Sequence, residues 1–369
     1  MSRLPLVMVV LALMLTACAS GKVTHNELRQ AQGATTAGRY EEAIRYWNKV
    51  IKAGKLTDRQ LLAAYLSQAE AYAALGQYQA ALKDYGQALR LNSKDAGIYS
   101  KRGRVYTLMG DYQRAFEDCD RALQLKPDSA EAYLNRGGAY RAQGDYPRAL
   151  ADYDQALQLN PELATAYLQR GSLYLQQGQY PQALENYDKA LRLDDKLAKA
   201  YTKRGLIYQT QRQYQKAIAD FERALRLDSN DAEAYGQLGA LYATLGQYQQ
   251  AVDNYDQALR LNPDYIEVLN NRGLAYQSQG EIQRALEEYD RAVSLNSNYA
   301  IAWLNRGYAY YTLGQYPQAL ENYDRAIQLD PNLATAYSNR GRTYTALGQP
   351  ERAGEDFDKA RQLLAEERR

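Results

Sequence analysis

Apolar and polar positions along this chain follow two periods at once. In Ala130 to Leu163, Tyr133, Gly137 and Tyr140 fall at i, i+4 and i+7, the spacing of one helix face. After Gly144, the residues Tyr146, Ala149, Tyr153 and Ala156 repeat a similar spacing. This predicts two amphipathic helices joined by a short turn. Gly144 suits a helix C-cap of positive φ, and Pro161, following Leu159, ends the second helix. The longer period is set by Tyr72, Tyr106, Tyr140, Tyr174, Tyr208, Tyr242, Tyr276, Tyr310 and Tyr344, each 34 residues from the next. Such a period marks a repeat array whose neighbours share one continuous core. The fold class is all-α, an α-solenoid of tandem helix-turn-helix units.

Small residues carry the packing. Gly137, Ala149 and Ala156 stay small in almost every repeat, so paired helices can approach closely while Tyr133, Tyr140 and Tyr153 fill the space around them. Ala149 recurs as Ala81, Ala115, Ala183, Ala217, Ala251, Ala285, Ala319 and Ala353. A bulky residue at any of these is expected to cost about 1–3 kcal/mol.

Aromatic, Gly, Tyr, Ala, Tyr/Phe, Ala and Pro at these spacings resemble the tetratricopeptide repeat. The resemblance covers residues 62–367 as nine tandem repeats of 34 residues, and it implies a right-handed superhelix. A degenerate hairpin over 26–57 precedes them, where Gly38, Tyr40, Ala43 and Trp47 keep the register. Thr57 and Gln60 fit a capping box that opens a longer helix. Departures from the pattern are Arg212 at the turn glycine, Ile282 and Pro350 at the Tyr after the turn, and Cys119 at the second-helix aromatic. Arg212 is expected to cost about 1 kcal/mol if that turn needs positive φ. Cys119 reads as a buried core thiol, against the alternative of a mixed disulfide with a partner.

Arg102, Arg136, Arg170, Arg204, Arg272, Arg306 and Arg340 precede the helix glycine, and Asp120, Asp154, Asp188, Asp256, Asp290 and Asp324 recur on the second helix. These form either a charged ladder for a ligand or structural ion pairs between helices. Strict repetition favours ion pairs, because a binding site should differ between repeats.

Net charge is +2, so nothing resembles a polybasic nucleic-acid binder, and nucleic acid is not an expected partner. The single His is His25, in the expected tether region, and the two Cys are Cys18 and Cys119. No metal site, catalytic triad or glycine-rich phosphate loop is legible. Acidic pairs recur with the repeat, so none stands out as a catalytic pair. The expectation is no enzyme, no metal and no cofactor.

The N-terminus is different. Arg3 precedes an apolar run from Leu4 to Leu15 that is too short to span a bilayer. It ends in Leu15-Thr16-Ala17-Cys18, which resembles the bacterial lipobox, whose Cys is lipidated after cleavage. The alternatives are a plain cleaved signal or an N-terminal anchor. The resemblance implies a signal peptide at 1–17, with lipidated Cys18 and a short tether at 18–25. Ala19 and Ser20, with no Asp after the Cys, imply the periplasmic face of the outer membrane.

In tetratricopeptide arrays the first helices line a groove. Counting Ala130 as one, the resemblance places positions two, five, six, nine, twelve and thirteen of each repeat on it. From Ala96 to Asp231 these include Lys101, Arg104, Arg141, Lys199 and Lys203 against Glu131 alone; from Ala232 to Leu333 they include Glu233 and Glu267 and no base. The basic half suits acidic or extended segments of a partner, or it is a solvated face. Lys199 and Lys203 fit the last pair of the family's carboxylate clamp, with Lys for Arg, but Gln169, Leu134 and Gly138 do not fit the rest. Ile301, Leu304, Tyr308 and Tyr311, with Asn305 beside them, are expected to form an apolar and aromatic hot spot, unless a neighbouring helix covers them. Leu363 and Leu364 at the end of the last helix offer a face for a second copy, a homodimer. The expectation is a membrane-anchored periplasmic scaffold that binds envelope proteins. The alternative is binding of an anionic envelope polysaccharide through the basic half.

Overall fold

A computed structural model describes residues 25–54 and 56–366. Cys18 and the expected leader and tether up to Thr24 lie outside the described residues. The described residues form twenty α-helices and no strand, divided between two compact units, Met1–Asp195 and Lys196–Arg369. The first holds α1 (His25–Thr36), α2 (Tyr40–Lys52), α3 (Asp58–Ala74), α4 (Tyr78–Leu91), α5 (Ala96–Leu108), α6 (Tyr112–Leu125), α7 (Ala130–Gln143), α8 (Tyr146–Leu159), α9 (Ala164–Gln176) and α10 (Tyr180–Leu193). The second holds α11 (Ala198–Thr210), α12 (Tyr214–Leu227), α13 (Ala232–Thr244), α14 (Tyr248–Leu261), α15 (Ile266–Ser278), α16 (Ile282–Leu295), α17 (Ala300–Thr312), α18 (Tyr316–Leu329), α19 (Ala334–Ala346) and α20 (Pro350–Glu366). Consecutive helices pair as hairpins. First helices also pack on one another, α5 on α7 and α7 on α9 in the first unit, and α11 on α13, α13 on α15, α15 on α17 and α17 on α19 in the second.

The hairpins close as the small residues demand. A Cβ added at Gly137 would stand 2.8 Å from Cε1 of Tyr153, so the ring lies where a side chain would be. The same relation joins Gly171 to Tyr187, Gly239 to Tyr255 and Gly307 to Tyr323. Ala149 and Ala156 are fully buried on the facing helix. The turn also behaves as expected. Gly144 has φ +88°, and Arg212 adopts φ +58° in its place, so this Arg holds a left-handed backbone that glycine takes without strain.

The degenerate hairpin folds around Trp47. Its ring is 1% exposed among Leu28, Ala31, Ala34, Ala43 and Val50, and its Nε1 donates to Thr35 Oγ1 at 3.0 Å. The capping box of Thr57 and Gln60 forms and opens α3, which runs to 17 residues.

The recurring arginines tie the array together. Arg136 Nε donates to Asp152 Oδ2 on α8 at 2.8 Å, and its Nη1 donates to Asp120 Oδ1 on α6 at 2.7 Å. One guanidinium therefore closes its own hairpin and holds the preceding one. Arg340 repeats this with Asp356 and Asp324, and Arg272 with Glu288 and Asp256. Carboxylates on both sides push the Arg136 guanidinium further up from its ordinary value. The ion-pair reading of the ladder therefore holds for these arginines. The acceptor within the hairpin, Asp152 and its equivalents, was not singled out in the sequence.

Cys119 is 0% exposed, beneath Gly103, and burial pushes its thiol up to about 12. This is the core thiol expected. Leu363 departs from expectation: it is 4% exposed and shares one buried stripe of α20 with Ala353, Asp356 and Ala360, leaving only Leu364 outward.

A candidate partner-binding face on the first helices

Hydrogen bonds and ion pairs between successive first helices define the candidate face. In the N-terminal unit Asn135 Nδ2 donates to Ser100 Oγ at 2.8 Å, and Lys101 pairs with Glu70. In the C-terminal unit Asn305 Nδ2 donates to Asn270 Oδ1 at 2.9 Å, and Lys203 pairs with Glu233 at 2.7 Å. Asn305 thus joins α15 to α17 and is half-buried.

Two of the five cations expected to make a basic half therefore spend their charge on neighbours, Glu70 before Lys101 and Glu233 after Lys203. The charge contrast read from the sequence is smaller in the fold. Arg104 and Lys199 remain exposed without an acidic partner among the described residues. Arg141 is half-buried, and its Nε is buried without a partner.

Position five of the repeat does not face solvent as expected. Ser100, Thr202 and Asn270 are at most 2% exposed there, and Leu304 is 7% exposed. Leu304 packs against Ala319, Tyr323 and Ala326 of its own hairpin and Ala336 of the next. It belongs to the core rather than to an exposed patch, because position five points into the seam between hairpins.

The rest of the expected patch is on the surface. Ile301 and Tyr308 are 36% and 37% exposed. The Tyr308 and Tyr311 rings are nearly parallel, 14° apart with centroids at 6.3 Å, and Tyr316 tilts against Tyr311. Leu274, one repeat before Tyr308, is 39% exposed, and Arg342, one repeat after it, stands 5.7 Å from the Tyr311 ring centroid. Leu274, Tyr308 and Arg342 share position nine of the repeat in α15, α17 and α19. Neither Leu274 nor Arg342 was singled out from sequence, although the 34-residue spacing was the available signal.

The second-helix tyrosines reach this face from behind. Tyr187 donates its hydroxyl to Ser172 Oγ at 3.3 Å, and Tyr289 donates to Gln277 Oε1 at 3.0 Å. Tyr85, Tyr153 and Tyr323 have buried hydroxyls without a partner. Arg104, Arg141 and Arg342 act respectively on these three hydroxyls, each favouring ionisation against the burial that opposes it.

Among the described residues no group of three or more His, Cys, Asp or Glu is placed to hold a metal ion, and no helix is long and apolar enough to cross a membrane.

Helical hairpins at a fixed period, closed by Gly against an aromatic ring and turned by a left-handed residue, agree with what family comparison finds. Profiles described as TPR repeat match residues 69–110, 241–280, 277–314 and 307–348. Profiles described as tetratricopeptide repeat match 95–162, 128–196, 162–230, 221–253 and 334–363. The chain belongs to the tetratricopeptide-repeat family. Repeats of this kind mediate protein–protein interaction in general.

Among solved structures, a tetratricopeptide-repeat protein from Parabacteroides merdae is 22% identical, with a TM-score of 0.51 over 63% of this chain and 93% of its own. A chain of the APC/C hetero-tetramer Cut9–Hcn1 is 16% identical, with a TM-score of 0.50 over 90% of this chain and 92% of its own. These two likenesses are of fold alone. YrrB, described as having an unusual peptide-binding site, is 29% identical over 50% of this chain and 95% of its own, with a TM-score of 0.44. No curated protein gives a significant match.

Proposed function

We propose that this tetratricopeptide-repeat protein is a lipid-anchored scaffold of a bacterial cell envelope that collects extended segments of other envelope proteins, and that it is not an enzyme. The observation that carries the binding reading is exposed Tyr308, its ring nearly parallel to that of half-buried Tyr311 on the first-helix face, with Leu274, Ile301 and Arg342 nearby. Aromatic side chains lose little conformational entropy on binding and anchor protein interfaces more often than they sit exposed without purpose. Anchoring is supported by the Leu15-Thr16-Ala17-Cys18 quartet at the end of an apolar run. The absence of Asp after Cys18 supports the outer membrane.

The second reading, an anionic envelope polysaccharide held by the N-terminal unit, draws on Arg104 and Arg141. Pairing of Lys101 with Glu70 weakens it. The test is crosslinked co-purification of the full-length protein from its own cell envelope, followed by mass spectrometry. Enrichment of one or a few envelope proteins, lost in a Tyr308→Ala/Tyr311→Ala variant, supports the scaffold. Retention of polysaccharide released by salt, with no protein partner, supports the second reading. Radiolabelled palmitate should enter the wild type and not Cys18→Ala; equal labelling of both would sink the anchor.

A further inference from the structure

The outer face of α2 lacks the acids that its counterparts carry. Tyr40, Ala43 and Trp47 set the register of the first hairpin. In that register Arg45 stands where Glu117, Glu185, Glu287 and Glu321 stand in later second helices, and Asn48 stands where Asp120, Asp188, Asp290 and Asp324 stand. Lys49 and Lys52 follow Arg45 at i+4 and i+7, on the same side of the helix. All three bases are exposed, and none has an acidic partner among the described residues. The acids of α2, Glu41 and Glu42, are confined to its first turn, and Glu42 pairs with Arg39 at 2.8 Å. Ala43, Ile44, Trp47 and Val50 are buried on the other side. A cleft of about 400 Å³ opens on the basic face, lined by Arg45, Tyr46, Asn48, Lys49 and Lys52. Lys49 Nζ stands 5.7 Å from the ring centroid of half-buried Tyr46.

A helix C-terminus favours bases in its last turn, which accounts for Lys49 and Lys52. It does not account for Arg45 in mid-helix or for Asn48 in place of an acid. What sets α2 apart is its place in the chain, in the hairpin that follows Cys18. Seven positions separate Cys18 from His25, a reach of at most about 25 Å. α1 and α2, of 12 and 13 residues, are joined by a short turn and pack as an antiparallel hairpin. The last turn of α2 therefore lies at the end where α1 begins, the end that Cys18 precedes. Bases held within about 10 Å of an anionic bilayer are drawn to it. The Tyr46 side chain, with an apolar ring and a polar tip, suits headgroup level.

We propose that Arg45, Lys49 and Lys52, with Tyr46 among them, seat the first hairpin on an anionic phospholipid surface. This rests on the lipid-anchored reading and adds a second contact with the bilayer, which fixes the hairpin against it. A lipid surface rather than an acidic protein is the occupant, because an anchor at Cys18 holds this end of the hairpin near the headgroups whatever protein the array binds.

The test is lysine footprinting on vesicles. Full-length protein purified in detergent from its own membrane is reconstituted with phosphatidylcholine, either alone or in equal parts with phosphatidylglycerol, and the vesicles are floated. Lysines are then briefly acetylated and scored by mass spectrometry. Each base near an anionic surface strengthens association by about fivefold, so three give about a hundredfold. The expected result is that the protein floats with both vesicles through its anchor, while Lys49 and Lys52 react at least about fivefold more slowly where phosphatidylglycerol is present. Exposed Lys126, which caps the end of α6, should react equally on both. Raising the salt to about 0.5 M should abolish the protection. Arg45→Glu gives α2 the acid of the later repeats and should cut the protection to about twofold or less. Flotation with both vesicles but equal reactivity of Lys49 and Lys52 overturns the basic face and leaves the anchor standing. Flotation with protection on phosphatidylglycerol vesicles alone supports the face and overturns the anchor; flotation with neither overturns both. Lys126 protected as strongly as Lys49 overturns the assignment to α2. Protection seen in native envelopes but on no vesicle gives the face to an acidic protein and overturns the lipid.

Discussion

A Cβ at Gly273 would lie 2.5 Å from Cε1 of Tyr289, closer than any side chain tolerates. The ring is not free to step aside, because its hydroxyl donates to Gln277 Oε1 at 3.0 Å. Gly273→Ala should therefore lower stability by about 1–3 kcal/mol, seen as a lower urea midpoint. Gly33, in the middle of α1, has nothing within 4 Å of its would-be Cβ. Gly33→Ala should instead raise stability by about 0.5–1 kcal/mol, since only backbone entropy changes. Equal effects of the two substitutions would show that close approach is not what selects Gly273.

The arginine ladder makes a prediction about compensation. Arg136→Leu strands Asp152, which is 6% exposed, and should cost about 3 kcal/mol. The hairpin of α13 and α14 already carries Leu238 and Asn254 at these two positions, and Asn254 Nδ2 donates to the Gln250 carbonyl at 2.8 Å. Adding Asp152→Asn to Arg136→Leu should recover more than half of the loss. A double-mutant cycle by chemical denaturation checks this; additive losses would mean the two groups do not interact.

Asp84 occupies the acceptor position of the ladder, but Gln68 stands where the Arg would be. The carboxylate is 7% exposed, and neither its Oδ2 nor Gln68 Nε2 has a partner. Burial pushes its pKa from 3.8 up to about 6, with Lys83 pulling the other way. The folded chain thus holds this proton more tightly than the unfolded chain. That stabilising contribution is present below the ordinary value and is lost as pH rises to about 6. Asn186 and Asn322 fill the same position elsewhere and donate to the Gln182 and Gln318 carbonyls at 2.8 Å. Asp84→Asn should raise the melting temperature at about pH 7.5, by an amount corresponding to roughly 1–3 kcal/mol, and change it little at about pH 4. A gain independent of pH would exclude titration of Asp84 as the cause.

Arg212 holds φ +58° at a turn where neighbouring repeats use glycine. Arg212→Gly should stabilise the chain by about 0.5–1 kcal/mol, the relief of left-handed strain offset in part by unfolded-state entropy. Thermal unfolding decides it, and a lower melting temperature would mean that the Arg side chain contributes more than its backbone loses.

Much of this was legible beforehand. The hairpins, the left-handed turn, the capping box at Thr57 and the buried Cys119 all follow from residues that sit on one helix or face each other within one repeat. The candidate face was legible only in part. Tyr308 is exposed as expected and Tyr311 only half so, whereas Leu304 turns into the seam between hairpins and Leu363 into the stripe beneath α20. A spacing rule assigns a helix face, but a seam buries part of that face as soon as another hairpin packs on it.

The sequence by itself determined the repeat, because its period and its alternation of small and large residues are properties of each 34-residue stretch. It determined the hairpin for the same reason, since Gly137 and Tyr153 must meet wherever two helices close that tightly. Only the tertiary structure decided that Lys101 and Lys203 are neutralised by Glu70 and Glu233, and that Asn305 reaches Asn270 across successive first helices. Most of these relations join side chains about thirty residues apart on neighbouring hairpins. Their charge and hydrogen bonding depend on distances that repeat packing creates and no single repeat contains.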